Sequence, residues 1–373
     1  MSVFIALLTI VLILSACNEE LKTEHEQKEQ LKEKEDNKLR VITETVYDPD
    51  LSLIELIKNI RENRNDSLPL YEIYKDLPVI DVHNHDAQSI SVSTWDTYGL
   101  DRIVLFGNIS EPAAISTDNK SWTQYKNMPD RIIPSFAGVP IYEEEKGLEI
   151  VKENLEKGYL NIGELMVAST YSPASNVKWK SEHPYDGNLP EIYQLAAQYK
   201  TPILLHIDPP NGTPMFQFEK ALTNHPETIF VFAHGNVYTS PIQLESLMKK
   251  YDNLYIDFFA GFTAYNSNSG YKLIDFVPLI EKFSERFFVS TDSGSEVGYE
   301  AAALSIYELV DLLTPETAAK VTYLNYDRII ELQPPTSYQI KRIEELTTKL
   351  GIDGDYKLNK RKANEFIFEL EKK

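Results

Sequence analysis

The sequence predicts an α/β fold, a closed (β/α)8 TIM barrel with helical additions at its N- and C-terminal ends. Two observations predict it. Eight short β-rich apolar runs follow one another from Pro78 onward, and amphipathic helical stretches separate most of them. That alternation, sustained over roughly 250 residues, is what a parallel barrel requires. An open doubly wound sheet would show the same alternation. It usually carries a Gly-rich nucleotide fingerprint after its first strand, and this chain has none there.

The elements can be justified in order. Residues 1–17, MSVFIALLTIVLILSAC, form an apolar run of signal-peptide length, short for a membrane span. No Lys or Arg precedes the run. It ends in Leu14-Ser15-Ala16-Cys17, which resembles a bacterial lipobox, with the only cysteine of the chain at the position that carries lipid. This predicts an extracytoplasmic lipoprotein held at a membrane through Cys17. A single cysteine also excludes an intrachain disulfide. Residues 18–45 begin as a run of Glu, Lys, Gln, Asn and Asp, too polar to offset its ordering entropy, and predict a solvated tether. Residues 46–75 contain SLIELIKNIREN, apolar at helical spacing, and predict a helix packed on the domain. The barrel is assigned to 76–333. Its first crossover, Asp86 to Leu100, is short and polar with a hint of helix around Trp95. Residues 334–373 hold two further helical patterns, predicted to cap the barrel and offering a possible homo-oligomer surface. The GIDGD turn between them lacks the carboxylates of an EF-hand loop.

The net charge is -20, so phosphate backbones are repelled, and no basic patch is visible. Nucleic acid is excluded as a partner on that ground.

The polar residues sit at one end of the strands. In PVIDVHNHD, His83 and His85 are spaced i and i+2 and so share a face at the end of the first strand. Two imidazoles on one face at a barrel mouth make two ligands for one metal. Glu164 in NIGELM, His206 in ILLHID, His234 in FVFAHGN and Asp292 in FVSTDSG are each read as ending a strand. The other histidines, His25, His183 and His225, fall in the tether or in loops. Taken singly, each strand-end residue has an ordinary explanation: a satisfied core histidine, a paired carboxylate or a helix cap. Taken together they would be many ionisable groups buried at one mouth, which is costly without a metal or mutual pairing.

These residues carry a resemblance. DVHNH, LLHID, FAHGN and STDSG, in that order, with the closing YLNYDRIIEL, resemble the amidohydrolase superfamily over Pro78 to Leu332, in particular amidohydrolase family 2. That branch contains metal-dependent hydrolases and aminocarboxymuconate-semialdehyde-type decarboxylases. The resemblance implies His83, His85 and His206 as metal ligands and Asp292 as both ligand and proton acceptor. His234 is implied as the group that polarises substrate in one-metal members or binds a second ion in two-metal members. Glu164 is implied as a bridging ligand in some members and has no counterpart in others. Asn325 and Arg328, in the closing helix, are implied to be structural. The cofactor expected is one or two divalent ions, Zn2+ foremost, acidifying a water that attacks an amide, ester or lactone carbonyl of a small molecule.

Three other functions compete. A nonoxidative decarboxylase of the same family would want a cation for the substrate carboxylate, and Arg102 lies at the wrong strand end. A barrel deoxyribonuclease shares the ligand arrangement, but the charge opposes it. A non-catalytic binding lipoprotein on a retired scaffold would be expected to lose some of the metal set, whereas every position here is filled. Specificity is expected in the loops STYSPASNVKWKSEHPYDGN and GFTAYNSNSG.

Overall fold

The computed structural model describes residues 40–42, 46–169 and 177–373. The lipobox with Cys17, the body of the tether and the start of the long loop after the fourth strand lie outside the described residues.

Eight parallel strands form one sheet in sequence order: β1 Val79–Asn84, β2 Leu100–Leu105, β3 Ile132–Phe136, β4 Asn161–Ser169, β5 Ile203–Asp208, β6 Phe230–Phe232, β7 Leu254–Phe258 and β8 Phe287–Val289. Helices connect them, giving the (β/α)8 barrel. All of β1 and β3 to β6 is buried, which is why these strands read as continuous apolar runs and not as alternating ones. The first crossover contains a 3-10 turn at Asp86–Gln88 and a short helix, Val92–Thr97, with Trp95 fully buried.

A side chain ties the seam between β1 and β8. Asp81 Oδ1 accepts from the Thr291 backbone N–H at 2.9 Å, and its Oδ2 accepts from the Thr291 hydroxyl at 2.6 Å. Asp81 also takes the His83 N–H at 3.3 Å and the Asn84 amide at 3.0 Å. Complete burial raises its pKa to about 6 against these four donors. The residue two before His83 thus joins the first strand to the segment that carries Asp292.

Opposite the mouth, the closing helix Asn325–Glu331 anchors the bottom of the barrel. The Asn325 amide donates to the carbonyls of Ser284 and Phe287, fixing the start of β8. Arg328 pairs with Glu285 at 3.2 Å. Arg102, near the start of β2, donates to Asp327 at 2.7 Å, so it is committed to the end remote from the mouth. Helix Ser52–Glu62 buries Leu53 and Ile57. The helices Ser337–Leu350 and Lys360–Glu371 cover the bottom, where Asn364 donates to Gly158 and Gln333 to Leu160, just ahead of β4.

The tether differs from its sequence expectation at its end. Arg40–Ile42, inside the range expected as tether, pairs in parallel with Asp355–Lys357. Val41 and Ile42 are β-branched and supply the strand propensity that the preceding polar run lacks.

Candidate metal centre

Each residue predicted for the metal site reaches one end of the barrel, though not all from a strand terminus. His83 is the fifth residue of β1, and His85 follows the strand. Glu164 lies inside β4, which continues to Ser169, so the expectation that it ends its strand is corrected. The strand extends because LMVAS goes on pairing with β5, Met166 against His206 and Ser169 against Asp208, with a register shift between Met166 and Ala168. His234 stands two residues past β6 and Asp292 three past β8. Both have left-handed backbone, φ 36° and 42°. That region is costly for residues with a Cβ, and such outliers gather at functional sites.

The side chains converge on Glu164 in two groups. Its Oε2 lies 3.5 Å from Nε2 of both His83 and His85, and those two nitrogens are 3.1 Å apart. Asp292 Oδ1 stands 3.5 Å from His83 Nε2 and 3.8 Å from His85 Nε2. The other carboxylate oxygen, Oε1, lies 2.9 Å from His206 Nδ1 and 3.2 Å from His234 Nε2, which are 2.9 Å from each other. Glu164 is 3% exposed and His83 fully buried, so water does not screen this charge.

The proton positions follow from the outer contacts. His85 Nδ1 faces the Gly107 carbonyl oxygen at 2.7 Å. A carbonyl only accepts, so that nitrogen carries the proton and Nε2 of the neutral ring holds a lone pair. Asp257 Oδ2 accepts from His83 Nδ1 at 2.7 Å, with the same consequence. Asp208 Oδ2 accepts from His206 Nε2 at 2.9 Å, which leaves Nδ1 as the lone-pair nitrogen there. Lone pairs of neutral rings therefore face one another and a carboxylate across about 3 Å. A proton or a metal ion among them relieves that repulsion. The pKa shifts express the same demand. Burial presses the His83 pKa down, but the Glu164, Asp292 and Asp257 carboxylates outweigh it and hold the ring well above its ordinary range. Burial pushes Glu164 up, yet the histidines around it hold its carboxyl well below the carboxylate range.

The set fits divalent metal. Bonds of ~2.0–2.1 Å in a tetrahedral centre put ligand atoms about 3.4 Å apart. The separations around Glu164 Oε2 run from 3.1 to 3.8 Å. His83, His85 and Glu164 form one candidate group and Glu164, His206 and His234 a second. His234 therefore stands with residues that could hold an ion.

Asp257, Asp208 and Asp81 were not singled out from the sequence. Asp257 is fully buried in β7, and its Oδ2 also accepts the His234 backbone N–H at 3.0 Å. One carboxylate thus orients a histidine from each group. A signal existed: Asp257 is the lone acid in the apolar run LYIDFF, and Asp208 and Asp81 stand two residues from His206 and His83.

The centre floors a cavity of about 770 Å³ that opens at the mouth. Of the loops expected to set specificity, Val177 and Phe262 line it.

No family model matches this chain, and no curated protein does. Solved structures do. An uncharacterized TIM-barrel protein from Bordetella bronchiseptica superposes with TM-score 0.53 at 14% identity, over 69% of this chain and 99% of that one. The shared feature is the barrel. A putative amidohydrolase from Staphylococcus aureus is similar at TM-score 0.48 and 15% identity, over 68% of this chain and 99% of that one. A 2,6-dihydroxybenzoate decarboxylase from Rhizobium is similar at TM-score 0.49 and 12% identity, with the same two coverages.

Proposed function

We propose that this protein is a metal-dependent hydrolase of the amidohydrolase type with a two-metal centre, cleaving an amide, ester or lactone of a small molecule. One observation carries the reading: the two oxygens of buried Glu164 are divided between two pairs of histidines. A carboxylate serving one ion would not need lone-pair nitrogens on both sides. The ordered motifs that resemble amidohydrolase family 2 support the same reading.

His83, His85, Glu164 and Asp292 would hold one ion, and Glu164, His206 and His234 the other. When bound, divalent ions, Zn2+ foremost for this N and O donor set, supply Lewis acidity and acidify water. The chain supplies the rest. Asp257, Asp208 and the Gly107 carbonyl fix ring tautomers and orientations, so the ligands need not reorganise. Asp292 is about one-fifth exposed and faces the cavity, the position for taking a proton from the attacking water. The same carboxyl then returns the proton to the leaving group.

Elemental analysis of the purified domain tests this. Wild type is expected to carry about two metal equivalents and Glu164→Ala about one or fewer. One equivalent in both would make the site mononuclear with Glu164 a bystander. No metal in either, even after reconstitution, would sink the enzymatic reading.

A further inference from the structure

The cavity above the metal centre has one sign of charge. Beyond Glu164 and Asp292 on its floor, it is lined by Asp208, Glu111 and Glu296, and no Arg or Lys lines it among the described residues. The segment 170–176, TYSPASN, contains neither. Of the two lysines that follow it, Lys180 donates to the Ser169 carbonyl at 3.0 Å, and Lys178 is exposed and does not line the cavity. The two outer carboxylates are held in place by amides and not neutralised by cations. Asn108 donates to Glu111 at 2.5 Å, and Asn266 donates to Glu296 at 2.7 Å. Neither forms an ion pair among the described residues.

Another part of the wall is apolar. Phe259 and Phe262 form a small hydrophobic cluster, separate from the main core, with Val237 and Val297 packed against it. All four line the cavity. Tyr238 lies edge-on to Phe262, ring centroids 5.7 Å apart, and is 53% exposed. Phe259 and Phe262 are themselves 2% and 5% exposed, so the half-buried Val237 and Val297 and the exposed Tyr238 offer most of this apolar wall to a ligand's body.

We infer that the substrate is a molecule with an aromatic or bulky apolar body and a neutral or positively charged far end, and that anionic substrates are rejected. This deepens the hydrolase reading above and rests on it. The body packs on the wall of Val237, Tyr238 and Val297, which Phe259 and Phe262 back. The far end faces Glu111 and Glu296, whose field attracts an ammonium and repels a carboxylate. With no Arg or Lys lining the cavity among the described residues, a carboxylate tail would stay unpaired in a partly desolvated site.

Calorimetry of the metal-loaded protein with three benzohydroxamates tests the inference. The hydroxamate chelates at the floor, and the para substituent is aminomethyl, hydroxymethyl or carboxyl. The expected order of affinity is aminomethyl, hydroxymethyl, carboxyl, with about tenfold or more between the ends. In the Glu111→Gln, Glu296→Gln double variant the spread should shrink severalfold while the hydroxymethyl compound binds as before. Carboxyl binding as tight as aminomethyl, or an order that persists in the double variant, overturns it. Failure of all three to bind protein that elemental analysis shows to be loaded also overturns it, and leaves the metal centre standing. Protein that takes up no metal fails the hydrolase reading itself, and the inference falls with it.

Discussion

Asp257 shows how much of a metal site lies behind its ligands. It touches neither candidate ion, yet its Oδ2 holds both the His83 ring and the His234 backbone. Among the described residues its buried Oδ1 has no hydrogen-bond partner, so the carboxylate is retained at a cost. Asp257→Asn keeps an acceptor of the same shape but removes the charge that makes His83 a better donor. Metal affinity should fall roughly 10–100-fold, measured by chelator competition, with the far-UV circular dichroism unchanged. An affinity within twofold of wild type would reduce Asp257 to packing. The grouping of these two candidate ligands was legible because the i, i+2 rule puts His83 and His85 on one face whatever the fold around them. Asp257 was not, because its importance lies in a contact 174 residues away in the chain, which no local pattern encodes. The split of the Glu164 oxygens was equally out of reach. It depends on which way a buried carboxylate turns, and that is set by four histidines on three other segments.

At the scale of elements, all eight strands could be read from apolar runs, but their ends could not. β6 and β8 are only three residues long, and the chain leaves them through left-handed His234 and Asp292. Propensity does not anticipate that backbone, since the site's contacts hold it in place. β4 runs past Glu164 because its pairing with β5 outlasts the polar residue. Gly163 makes the turn of Glu164 toward the mouth possible. Its φ is 116°, and a Cβ there would meet the Leu204 carbonyl oxygen at 2.5 Å, inside the neighbouring strand. A backbone atom in a paired strand has little room to give. Gly163→Ala should therefore lose about 2 kcal/mol of stability in urea unfolding. It should also lower metal content, because the displaced residue is the one shared by both groups. A variant as stable as wild type with full metal would show that β4 tolerates a side chain there.

Considered as a whole, the molecule keeps its candidate metal centre at one end of the barrel and its fastening at the other, and a buried lysine marks the fastened end. Lys360 opens the last helix with no exposed surface, and donates to the Thr201 hydroxyl at 3.0 Å and to Gln333 at 3.3 Å. These partners are neutral. Burial lowers its pKa from 10.5 to about 7, with Glu156 opposing only in part. The sign follows from linkage. A lysine whose folded pKa is depressed binds its proton more readily when unfolded, so its contribution to stability is fully present above pH 10.5. That contribution is lost as pH falls toward 7, and below 7 no further loss comes from this group. Lys360→Met keeps most of the stem's packing and removes the ammonium. The variant should be more stable than wild type by about 2 kcal/mol at pH 6, with the advantage shrinking steadily between pH 7 and 10.5. Urea unfolding of both proteins across that range reads the difference directly, and shared titrations cancel. A variant that is less stable at pH 6, or whose advantage does not change with pH, would mean that the hydrogen bonds to Thr201 and Gln333 outweigh the cost of burying the charge. Because Lys360 lies at the bottom of the barrel, metal content should be the same in both proteins. A change there would show that the two ends are coupled.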